Sequence, residues 1–227
     1  MNKKKKKKWL SYLTEIHIES APSEINPHLY VSLRRGRYQL CTANAIYSYE
    51  DLYDNFVKAF ERIQLDKIEG DRVLILGFGL GSIPLILENK FNRNFHYTAV
   101  ELDESVLYLA NKYTVPKLDA AIDFVQADAL AFVEQCQEKF DVICMDVFLD
   151  DVIPTQFHQN AFLRRLQQLL TRNGLLLYNC LALTDADLNA TEEFYYEHFV
   201  PNFPQGKYLD VDGNWILVND RLFLKND

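Results

Sequence analysis

The sequence predicts an α/β fold: a Rossmann-like, seven-stranded, mostly parallel sheet with helices on both faces, an antiparallel last strand, and a short N-terminal β region. Three observations predict it. Strand-like and helix-like segments alternate from residue 72 onward, the pattern of a parallel sheet with helical crossovers. The first strand, Val73-Leu74-Ile75-Leu76, is apolar without alternation, as suits a strand buried on both faces. A glycine loop, Gly77, Gly79 and Gly81, follows it and opens into a helix.

The elements follow in order. Six consecutive lysines, Lys3 to Lys8, place residues 1–8 in a disordered tail, with weak contact to an anionic surface or RNA as a lesser reading. The run that follows, WLSYLTEIHIE, turns polar too soon for a signal peptide. Ile16 and Ile18 alternate with polar neighbours, giving a half-buried strand from Thr14 to Glu19. After Pro22 and Pro27, Leu29, Val31 and Leu33 alternate in a second strand. Gly36 turns the chain, and Tyr38 to Thr42 returns as a hairpin partner. A helix from Tyr49 to Gln64 carries Leu52, Phe56, Phe60 and Ile63 at helical spacing. Residues 9–66 therefore form a short β-hairpin region with a linking helix, packed on a main domain over residues 67–227.

In the main domain, strands are expected at 72–77, 95–101, 122–126, 140–146, 174–180, 207–211 and 214–224. Helices are expected at 82–90, 103–113, 128–137, 156–171 and 185–199. Asp212-Gly213-Asn214 is a hairpin signal joining the last two strands.

Composition narrows the function. With 48% hydrophobic and 25% charged residues, 227 residues support one sizeable core. The net charge is −8, although the lysine run contributes +6, so the rest of the chain stands at −14. Such a body disfavours nucleic acid and favours a small cationic substrate. No membrane span is expected, because the longest apolar stretch, 73–87, is short and interrupted by three glycines and a proline. Cys41, Cys136, Cys144 and Cys180 form no C-x-x-C pair and read as free thiols of a reducing cytoplasm. The five histidines lack metal-ligand spacing, so no metal is assigned. A homodimer is the assembly allowed for.

The glycine loop and the strand ends carry the chemistry. Ser82 and Pro84 suit the start of a helix after the loop. Glu101 lies twenty residues beyond Gly81, at the next strand end, where a carboxylate can accept hydrogen bonds from a ribose diol. The loop reads G-x-G-x-G and then Ser82, not the G-x-G-x-x-G of dinucleotide sites, so a nucleoside cofactor without a pyrophosphate fits better. Asp103, Asp128 and Asp146 follow at strand ends on the same edge, where open parallel sheets bind ligands. Asp103 and Asp128 also suit helix caps. Asp150 and Asp151, before Pro154, lie in a loop placed to close over a cationic ligand.

These residues resemble the spermidine synthase-like group of the class I S-adenosylmethionine (SAM) methyltransferase fold, from about Leu29 to Leu224. VLILGFGLG resembles the group's glycine loop, TAVELDESV its ribose-binding strand end, and DFVQADALAFV its adenine-binding segment. FDVICMD places Asp146 at the group's catalytic aspartate. The spacing of Gly36, Gln39 and Glu50 also matches.

The resemblance implies a SAM-dependent group transferase using SAM or decarboxylated SAM. Asp146 would be catalytic. Gln39, Gly77, Gly79, Gly81, Glu101, Asp103 and Asp128 would hold the cofactor, and Glu50 and Asp151 the substrate. The chain departs from the group in several places. Leu80 stands where an aspartate is usual, Asn44-Ala45 replaces an acidic pair, Ser48 replaces a tyrosine, and Val147-Phe148-Leu149 replaces Ser-Ser-Asp. Methyl transfer to a small amine or other nucleophile is the favoured expectation. Aminopropyl transfer and a non-catalytic binding module are the alternatives.

Overall fold

The computed structural model describes residues 3–43, 45–149 and 152–225. The lysine run, expected as a tail, lies in helix α1 (Lys3–Leu10). Its C-terminal end is tied down by Ser11, which is 1% exposed. The Ser11 hydroxyl donates to the Lys8 carbonyl (2.6 Å) and accepts the Gly36 amide (2.9 Å). The Ser11 carbonyl accepts the Arg35 amide at 2.8 Å.

An antiparallel sheet follows in the order β1 (Ile16–Ser20), β2 (Tyr30–Arg34), β3 (Arg37–Cys41) and β4 (Ile46–Ser48). The two-residue turn between β2 and β3 has positive φ at both Arg35 (49°) and Gly36 (74°), which matches the twist of a tight hairpin. Strand β4 was not foreseen. The linking helix is also shorter than expected. Glu50 adopts φ 41°, a short 3₁₀ turn spans Glu50–Leu52, and α2 covers Asp54–Glu61.

The main sheet alternates with helices: β5 (Arg72–Leu76), α3 (Ser82–Phe91), β6 (His96–Glu101), α4 (Glu104–Tyr113), β7 (Ile122–Gln126), α5 (Ala129–Gln135), β8 (Phe140–Met145), α6 (Asn160–Leu169), β9 (Leu170–Leu181), α7 (Asp185–Phe194), β10 (Lys207–Asp210) and β11 (Asn214–Val218). The strand order is β10-β11-β9-β8-β5-β6-β7, seven strands among the described residues. Strand β11 runs antiparallel to β9 and β10, and the pairs from β9 to β7 are parallel. The last strand stops at Val218 instead of 224, because Asp220 caps a 3₁₀ turn over Arg221–Phe223. The expected helix 185–199 changes to a π-helical turn over Tyr195–Phe199.

Two cores cover the main sheet. Val73 and Ile75 face one core, which also takes in Phe56, Phe60, Ile86 and Leu109. Leu74 and Leu76 face the other, with Phe162, Leu166 and Phe199. Successive side chains of a strand point to opposite faces, so a strand covered twice cannot alternate in polarity. Leu29, Val31 and Leu40 of the N-terminal region belong to the first core, so the small sheet and the main sheet share one apolar interior.

The order of strands reverses at β5, with β6 and β7 on one side and β8 and β9 on the other. That reversal opens a crevice at the carboxyl ends of the strands. Asp103 pins the N-terminal segment beside it. One carboxylate oxygen accepts the Ser105 amide (2.9 Å) and caps α4. The other accepts the Ser23 hydroxyl (2.6 Å) and the Asn26 side-chain amide (2.8 Å). Replacing Asp103 with alanine removes a cap and orphans buried donors, and should cost about 2 kcal/mol. Urea denaturation should show that loss, and hydrogen exchange should quicken in residues 23–26. Unchanged exchange there would mean that the segment is held by packing.

Candidate active site

The crevice is a cavity of about 520 Å³, within the range of small-molecule sites, lined from both parts of the chain. Its floor is the glycine loop. Gly77 and Gly79 have φ of 83° and 55° and line the cavity. Gly81, at φ 84°, packs against the Phe78 ring and does not line it. A Cβ on Gly79 would meet Ser48 of β4 at 3.2 Å. The Ser48 and Ser82 hydroxyls share a buried 2.6 Å hydrogen bond, and Ser82 also accepts the Tyr49 amide (2.9 Å), so β4 is locked over the start of α3. Leu80 is fully buried in the core and offers the cavity nothing.

Among the described residues four carboxylates, from Glu101, Asp103, Asp128 and Asp146, line this space, and no lysine or arginine does. Glu101 ends β6. Its carboxylate accepts the amides of Gly79 (3.2 Å) and Asp103 (3.1 Å), which orient it and leave further lone pairs. Burial raises its pKa above the usual carboxylate value, and those amides oppose the rise. Asp128 caps α5 through the Ala131 amide (3.0 Å). The Asp103 carboxylate is filled by Ser23, Asn26 and Ser105, so it serves the fold first.

Asp146 follows β8, and its amide bonds the Leu76 carbonyl at 2.8 Å. Its Oδ1 accepts the Asn179 side-chain amide (2.8 Å) and, more weakly, the Tyr53 hydroxyl (3.4 Å). Among the described residues Oδ2 has no hydrogen-bond donor. Burial pushes the Asp146 carboxyl up to about 7, and the nearby charge of Glu101 adds to that, while the bonds from Asn179 and Tyr53 pull it down. Asn179 is itself held, its carbonyl accepting the Asn214 amide at 2.9 Å. A chain of amides thus runs from β11 through β9 to the carboxylate.

The structure therefore brings Gly77, Gly79, Glu101, Asp103, Asp128 and Asp146 to one cavity. It leaves Gln39 and Glu50 outside. Gln39 is 1% exposed, opposite Ser32 in the β2–β3 hairpin, and absent from the lining. Glu50 accepts the Tyr38 amide (2.7 Å) and the Lys117 ammonium (2.6 Å), beside the Arg37–Asp51 pair. Asp151 lies outside the described residues. Tyr53, Asn55, Asn179 and Asn214, which no sequence motif marks as ligands, also line the cavity. Asn179 did carry a signal: an amide in the otherwise apolar run Leu175 to Leu181 needs a buried partner.

A family profile for the spermine/spermidine synthase domain matches residues 58–200. A polyamine aminopropyltransferase of Vibrio vulnificus (strain CMCP6) is 26% identical over 159 residues, covering 69% of this chain and 52% of that protein. A tRNA1(Val) (adenine(37)-N6)-methyltransferase of Histophilus somni (strain 129Pt) is 32% identical over 145 residues, covering 62% of this chain and 57% of that one. The chain thus spans about half the length of these curated relatives. The crystal structure of a probable spermidine synthase from Corynebacterium glutamicum superposes with a TM-score of 0.68 at 18% identity, over 89% of this chain and 78% of that one, a likeness of fold. The strand order, the glycine loop with its strand-end acids and the profile match over most of the main domain agree: the chain belongs to the spermine/spermidine synthase domain family.

Proposed function

We propose that the chain is a SAM-dependent group transferase, with methyl transfer to an amine or other nucleophile as its favoured reaction. One observation carries this reading: Asp146, with a pKa near neutrality, shares a cavity at the sheet's switch point with Glu101 and Asp128. The residues fit the cofactor. Glu101 keeps lone pairs for a ribose diol, Asp128 can accept an adenine amino group, and the anionic cavity suits a sulfonium. When bound, SAM supplies an electrophilic carbon whose bond to sulfur breaks as the nucleophile attacks. The chain's own work is positioning and proton handling. Asn179 fixes Oδ1 of Asp146, leaving Oδ2 to accept an N–H of the acceptor. A carboxylate poised near pH 7 can take that proton as the new bond forms.

The acceptor side favours methyl transfer. Glu50, expected in an amine pocket, is spent on Lys117 and the Tyr38 amide. The cavity mouth is lined by the exposed side chains of Ile46, Leu102, Leu149 and Leu183. That rim suits an acceptor with an apolar portion better than a linear polyamine. Aminopropyl transfer is the second reading, and the lining favours it in one respect. No described lysine or arginine lines the cavity to pair with the carboxylate that SAM carries and decarboxylated SAM lacks.

Calorimetry with SAM, decarboxylated SAM and methylthioadenosine separates the readings. SAM should bind. No binding by any of the three at millimolar concentration removes the cofactor assignment, and binding by decarboxylated SAM alone replaces methyl with aminopropyl transfer.

The Asp146 pKa gives binding a pH dependence. A cation is attracted to the ionised carboxylate, so SAM affinity should rise as pH increases through about 7 and fall below it. Asp146→Asn should abolish that step, and a step that persists would assign it to another group. Asn179→Ala deletes a hydrogen bond that holds Asp146 ionised, so the midpoint should move to higher pH. A midpoint that stays in place would limit Asn179 to packing.

A further inference from the structure

Helix α1 does not project freely from the fold. Ser11 bonds the backbone of Arg35 and Gly36, and a Cβ built on Gly36 would lie 2.9 Å from the Tyr12 hydroxyl and 3.1 Å from Cε of Lys8. The end of the lysine helix is thereby seated on the arginine turn of the β2–β3 hairpin. Lys5 to Lys8, Arg34 and Arg35 are exposed, and among the described residues none of them forms an ion pair. The sequence adds Lys3 and Lys4 to the same run. Glu15 is an exposed acid close by. The same short stretch exposes Trp9 (65%), Leu10 (41%), Tyr12 (61%) and Leu13 (72%). None of these groups touches the cavity at the sheet's switch point.

We propose that this end of the molecule is a docking surface for an anionic lipid membrane. Two independent properties meet there. The cationic cluster is complementary to acidic headgroups, whereas the remainder of the chain, at −14 without the lysine run, is repelled by them and by nucleic acid alike. The docking face is therefore confined to α1 and the arginine turn. Beside the lysines stand two aromatic and two aliphatic side chains. Trp and Tyr favour the headgroup level, and Leu favours the acyl boundary. Basic charge with aromatics would also suit RNA, but Leu10 and Leu13 gain nothing from a sugar-phosphate surface and gain burial from lipid. The chain would rest on the bilayer without crossing it; no described helix is long and apolar enough to span one.

The chain has two tryptophans, and they differ in a way that gives a direct test: Trp9 is exposed and Trp215 is 5% exposed in the core. Vesicles of phosphatidylcholine with about one third phosphatidylglycerol, added to this 227-residue chain, should shift the Trp9 emission to the blue and protect it from a soluble quencher. Pure phosphatidylcholine vesicles should do neither. The combined Lys5→Gln, Lys6→Gln, Lys7→Gln and Lys8→Gln variant should bind the acidic vesicles roughly a thousandfold more weakly. The Leu10→Ser and Leu13→Ser pair, which leaves every charge in place, should also weaken binding and reduce the blue shift. The proposal fails if acidic vesicles leave the emission unchanged. It fails in favour of RNA if single-stranded RNA binds more tightly than acidic vesicles and the leucine pair has no effect on either.

Discussion

The arrangement depends on one close approach, between Gly77 and the backbone of Asp146. A Cβ at Gly77 would lie 2.2 Å from the Asp146 carbonyl oxygen, and the residue's φ is 83°. Both facts demand glycine, the first by simple exclusion and the second because side-chain-bearing residues avoid that region. The approach lets the chain leaving β8 pass against the loop leaving β5, with the Asp146 amide bonded to the Leu76 carbonyl. It fixes where the Asp146 side chain starts. Asn179 and Tyr53 then fix where it ends.

The second constraint is electrostatic. Asp146 and Glu101 are held away from water with no described lysine or arginine lining their cavity, and burial raises the pKa of both. A cationic ligand relieves that cost, which links the fold to the proposed chemistry. The N-terminal region handles its acids differently. Glu50 and Asp51 are neutralised in place by Lys117 and Arg37, and they stabilise the junction between β3, the 3₁₀ turn and the main domain.

The main sheet is legible because its buried strands show as unbroken apolar runs alternating with helix-like segments, and parallel topology leaves few ways to connect them. The glycine loop and the acids at 101, 103, 128 and 146 were legible because strand ends on one edge must converge at a switch point. Side-chain partners are not written in local pattern. Glu50 matched a spacing, but its carboxylate is claimed by a lysine 67 residues away in the chain. Gln39 matched the same register, but its hairpin turns it into the interior. The position of Asp103 suits both a ligand and a cap; it caps α4 and also holds Ser23 and Asn26 of the N-terminal segment.

The sequence by itself determined the architecture, the location of the cavity on the sheet and the acids at its strand ends. Those follow from periodicity and chain direction, which are local properties. Tertiary structure alone decided which acids remain available. Asp146 and Glu101 sit in the cavity with raised pKa values, while Glu50 is neutralised and Asp103 is occupied. It also decided that the amides of Asn179 and Asn214 reach across three strands to orient the carboxylate, and that a lysine run which reads as a tail is seated as a helix on an arginine turn. Each of these depends on groups distant in sequence meeting in space, and a hydrogen bond or a desolvation cost is set by that meeting and not by residue type.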